Sequence, residues 1–80
     1  MNVNELQVKK LQVMPGLRGV SWYRVSHAGR VVGFVEKLRN TRSVINPWKA
    51  FAADHGTFGR YLGAHYGGMN LALGLIIDII

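Results

Sequence analysis

Acid–base chemistry in this 80-residue chain would have to come from three histidines, His27, His55 and His65, and four carboxylates. Asp54 and His55 are adjacent and offer half of an acid–base site that His65 could join. A nucleophile would have to be Ser21, Ser26, Thr41, Ser43 or Thr57, and no neighbour in the sequence activates any of them. The histidines lack the spacing of a metal-binding pair, and there is no cysteine to accompany them or to form a disulfide. The glycines spell neither G-x-G-x-x-G nor a phosphate-binding P-loop. These residues describe a non-enzyme without metal or cofactor.

The cations suggest a different chemistry. Ten Lys and Arg oppose four acids, for a net charge of +6. Arg18, Arg24, Arg30, Lys37, Arg39, Arg42, Lys49 and Arg60 face only Glu36 and Asp54 across the middle of the chain, which accounts for the whole net charge. A basic centre attracts polyanions, nucleic acid first, then acidic protein surfaces. Arginine can donate two hydrogen bonds to guanine O6 and N7, while other cations neutralise phosphates. Trp22, Tyr23, Trp48 and Tyr61 could stack on the bases of a single strand. The plainer reading makes the cations a solvated face and the rings a core. In "EKLRNTR", Asn40 and Thr41 could help Lys37, Arg39 and Arg42 cradle a phosphate, or simply close a turn. Trp48, Phe51, Arg42 and Tyr66 are also the residue types that anchor protein interfaces.

These residues need a scaffold. A chain of this length makes one small domain, burying about 60–65% of its unfolded surface. Its 49% apolar content argues against disorder. Residues 1–17, with "NELQVKKLQVM" ending at Pro15-Gly16, fit an arm or an edge element. "RGVSWYRV" and "RVVGFVEKL" flank "SHAG", where Gly29 permits a tight reversal, so they form a hairpin. Gly33, inside the second strand, marks a bulge or makes room for a ring such as Trp22. "WKAFAA" reads as a short strand, with a helical turn starting near Pro47 as its rival, "DHGTFG" as a turn and "RYLGAHY" as another strand.

Over residues 68–80, Met69, Ala72, Leu73, Ile76, Ile77 and Ile80 share one helical face. Leu71, Leu75 and Ile79 form a second apolar stripe, which suits either partial exposure or a homodimer through this helix. Only monomer in sedimentation at high concentration would remove the dimer. The expected architecture is α+β, an antiparallel three- or four-stranded meander over residues 18–66 with the helix on one face. Phe34, Val35, Leu38, Trp48, Phe51 and Leu62 are its expected core. The apolar tail is too short and too interrupted for a membrane span, and the first residues are polar. A cytoplasmic protein with no membrane partner is expected.

"RGVSW" opening a strand, and "RYLGAHYGGMNLALGL" running from a strand into an apolar helix, resemble the DNA-binding domain of plant ethylene-response factors. Relatives of that domain occur in phage integrases and homing endonucleases. The resemblance implies a three-stranded sheet in the major groove of double-stranded DNA, with a helix behind it. By position it turns Arg18, Trp22, Arg24, Arg30 and Lys37 toward DNA, joined by Arg60 and Tyr61. Arg39, Arg42 and Lys49 complete the expected nucleic-acid-binding set. The central segment is similar to small phage-encoded accessory proteins, which implies an alternative partner, an acidic surface on a host protein in the host cytoplasm.

Overall fold

The computed structural model describes residues 2–12, 20–38, 48–65 and 67–80. Five strands run in chain order across one antiparallel sheet: β1 Gln7–Leu11, β2 Val20–His27, β3 Arg30–Leu38, β4 Trp48–Asp54 and β5 Thr57–His65. A single α-helix, α1 Met69–Ile77, follows and packs on β3, β4 and β5. The class is α+β, as expected.

The strand count corrects the expectation of three or four. Residues 7–11 lie outside the segment assigned to the sheet, yet they pair with β2 from Gln7 opposite Ser26 to Leu11 opposite Trp22. Their side chains are almost all exposed, so no burial pattern marked them. An edge strand can be held mainly by its backbone ladder. A 3-10 turn, Val3–Glu5, leads into β1 and is closed by a capping box. The Asn2 side chain accepts from the Asn4 amide, and Glu5 accepts from the Asn2 amide. β4 adds a strand that the ethylene-response-factor resemblance does not imply.

Two tight turns fix the register. Ala28-Gly29 joins β2 to β3 with φ of 53° and 80°, and His55-Gly56 joins β4 to β5 with φ of 51° and 81°. Two successive positive φ values match the right-handed twist of the strands they connect. At the second turn the Thr57 hydroxyl also donates to the Asp54 carbonyl at 2.8 Å.

Small residues on one side of the sheet let the helix approach closely. A Cβ added to Gly33 would lie 2.8 Å from Ile76 Cδ1 and 2.6 Å from the Phe51 carbonyl oxygen. One on Gly63 would lie 3.1 Å from Leu75 Cδ1. Gly33 therefore makes room for Ile76 rather than Trp22, which projects from the opposite side. The ladder also shifts beside it, between Val25 and Ser26. Ala72, Leu73 and Ile76 are buried against Leu6, Val25, Val35 and Ala50, with Trp48, Leu62, Met69 and Ile77 packed around them. The expected helical stripe is the buried one, although Ile80 lies beyond the helix and is exposed.

The expected core divides between the two sides. Val35 is wholly buried under the helix, with Trp48 and Leu62 at the margin. Phe34 is buried too, but it and Phe51 project from the side away from the helix. Leu38 is half-buried.

A candidate nucleic-acid interface

Residues directly opposite in an antiparallel pair share a face. One transverse row on the helix side runs Lys10, Tyr23, Val35, Ala50 and Gly63. The adjacent row, one residue along, belongs to the other side and runs Lys9, Arg24, Phe34, Phe51 and Tyr61. Two cations on β1 and β2 thus stand in line with three rings on β3, β4 and β5. The next row on this open side is Leu11, Trp22, Glu36, Lys49 and Ala64.

The rings form one contiguous cluster. Phe58 stacks on Phe34 with centroids 4.1 Å apart, and meets Trp22 edge-on at 4.7 Å. Phe51 lies 5.7 Å from Trp22, 6.0 Å from Phe58 and 5.5 Å from Tyr61. These separations suit tilted and edge-to-face pairing. Phe34 is sealed beneath, whereas Phe58 and Tyr61 are 49% and 53% exposed. The open side therefore presents ring surface to solvent alongside the polar residues usual on the uncovered face of an antiparallel sheet.

The cations do not all share that side. Arg24 and Lys49 do, and Lys9 joins them. Lys49 Nζ lies 3.9 Å from the half-buried Glu36 carboxylate, so part of its charge is matched locally. Lys37 belongs to the helix side, where its ammonium sits 5.0 Å above the Trp48 ring. Arg30 pairs with His27 at the turn and lines a cavity of about 270 Å3 with Val32, Ile79 and Ile80. Arg60 is exposed on β5, beside a break in the β4–β5 register. Arg18, Arg39 and Arg42 lie outside the described residues, as do Asn40, Thr41 and Tyr66.

The four rings expected to stack on bases also divide. Trp22 and Tyr61 are on the open side; Tyr23 and Trp48 are 6.2 Å apart beside the helix. Sequence reasoning placed Phe34 and Phe51 in the core, Phe58 in a turn and Lys9 in an arm or edge element. His55-Gly56 as a two-residue turn was the available signal for Phe58, because it starts β5 at Thr57 and puts Phe58 on a strand.

The acid–base candidates remain apart. His55 and Asp54 approach to 3.5 Å at a fully exposed hairpin tip. His65 ends β5, about 26 Å along the strand from Thr57 at about 3.3 Å per residue. Among the described residues, no three His, Asp or Glu side chains gather into a metal-binding group. No described helix is long and apolar enough to cross a membrane. On the helix, Leu71 is half exposed, as are Ile79 and Ile80 beyond it.

No protein-family model matches the chain, and neither a curated protein nor a solved structure matches it.

Proposed function

We propose that this chain is a nucleic-acid-binding module that uses the open side of its sheet, with the helix as backing. The observation that carries the reading is the row Lys9, Arg24, Phe34, Phe51 and Tyr61, in which two cations share one side with two accessible rings, Phe51 and Tyr61, beside the buried Phe34. Cations hold the phosphate backbone and rings contact bases or sugars, the combination that nucleic-acid grooves and platforms use. The ethylene-response-factor resemblance lends the same orientation, sheet toward nucleic acid and helix behind. The net charge of +6 favours encounter with a polyanion.

The test compares two triple variants that remove equal charge. Lys9, Arg24 and Lys49 changed to Ala should abolish binding to random-sequence DNA at low salt. Lys10, Arg30 and Lys37 changed to Ala, from the helix side and the β2–β3 turn, should weaken it only modestly. Wild-type affinity should fall steeply as salt rises. Equal losses from the two triples would mean that net charge, not this side of the sheet, drives binding.

One observation favours a second reading, a phage-type accessory protein that docks on an acidic host protein. Half-exposed Phe58 and Tyr61, on the same side of the sheet as the Lys49–Glu36 pair, resemble aromatic anchors with a charged rim. No retention of DNA at low salt would put that reading first.

A further inference from the structure

We infer that the open side of the sheet takes single-stranded nucleic acid, its bases stacked on the rings and its phosphates on Lys9 and Arg24; this rests on the nucleic-acid reading above. The first ground is width. Strands lie about 4.8 Å apart, so five of them span about 19 Å, and the ring-bearing strands β2 to β5 alone span about 14 Å. The major groove is about 12 Å wide and admits a helix or a two-stranded ribbon. A three-stranded sheet would fit it; this ring surface does not. The ring surface is thus broader than the duplex groove that the resemblance implies.

The second ground is what the side chains offer. Duplex bases keep their faces stacked on one another and present only their edges in the grooves. Phe58 and Tyr61, with the half-buried Trp22 and Phe51, present ring surface, which recognises the faces of unstacked bases. Tyr61 and Phe58 are the most exposed of the set and stand at its β5 edge, while the cations lie at the β1–β2 edge. A strand crossing the sheet along the row would meet rings at one end and phosphate-binding charge at the other. RNA adds a 2′-hydroxyl, which both donates and accepts, so base stacking and phosphate contact are the chemistry that the two kinds of single strand share.

The experiment is fluorescence anisotropy with labelled thymidine strands of about 15 nucleotides, near the upper site size of single-strand-binding domains. A duplex of the same length and a uridine RNA strand serve as comparisons. Both single strands should bind more tightly than the duplex. Tyr61→Ala should weaken single-strand binding about five- to hundredfold, the effect of losing one stacked base, while Tyr61→Phe keeps affinity within about twofold. Circular dichroism should show both variants folded, since Tyr61 is half exposed. Tighter binding of the duplex would overturn the single-strand inference and leave the nucleic-acid reading standing. No binding of any of the three would overturn both readings.

Discussion

Gly33 and Ile76 carry the contact that decides which side of the sheet the helix covers, and a double-mutant cycle measures it. The Cβ of Gly33→Ala would sit 2.8 Å from Ile76 Cδ1 and 2.6 Å from the Phe51 carbonyl. Overpacking of this kind costs about 1–3 kcal/mol, partly offset by the roughly 0.5–1 kcal/mol gained when a strand glycine becomes alanine. The net loss should be about 1–2 kcal/mol, or about 4–16 °C in Tm for a domain of this size. Ile76→Val alone should cost about 0.5–1.5 kcal/mol, because Ile76 is wholly buried. It also removes the Cδ1 atom that obstructs the new methyl group. The double variant should therefore be more stable than the two single losses imply, by about 0.5–1 kcal/mol, with the Phe51 carbonyl limiting the relief. Urea unfolding of all four proteins gives the coupling directly. Additivity within about 0.3 kcal/mol would refute the contact, and with it the assignment of an open and a covered side.

Two further changes test other parts of the architecture. Phe58→Ala should destabilise the domain by about 1–2 kcal/mol in urea unfolding despite its exposure, because the ring packs on Phe34 and Trp22; a change under about 0.5 kcal/mol, ordinary for a surface residue, would argue against the ring cluster. Ala28→Asn should raise the Tm by several degrees, because Ala28 holds φ at 53°, where Asn is better tolerated and Asn-Gly is the favoured pair for this turn. An unchanged Tm would contradict the turn geometry.

Local signals made the β2–β3 hairpin and the helix legible. "SHAG" supplied a glycine at the position that needs positive φ, and the tail's 3.6-residue period named its buried face. β1 was legible only as an arm or an edge element, because its two apolar residues, Val8 and Leu11, fall on opposite sides of the strand. The covered side was hidden because both hairpin strands carry apolar residues at both parities. Tyr23, Val25 and Val35 serve the helix side, while Trp22 and Phe34 serve the open side. The choice was made by tertiary structure, through the small residues Gly33, Ala50 and Gly63 that let α1 lie close. That choice also separates the cations, which the sequence grouped only by position along the chain. Arg24 and Lys37 are both in the hairpin, yet they lie on opposite sides of the sheet.

Both functional readings depend on the open side of the sheet being the working surface. Amide chemical-shift mapping tests this most directly, by titrating isotope-labelled protein with a thymidine oligonucleotide. The shifts should concentrate at Lys9, Trp22, Arg24, Phe34, Phe51, Phe58 and Tyr61, and leave Leu73, Ile76 and Ile77 of the helix nearly unmoved. Shifts centred on α1, or on the cavity beside Arg30, would contradict the account.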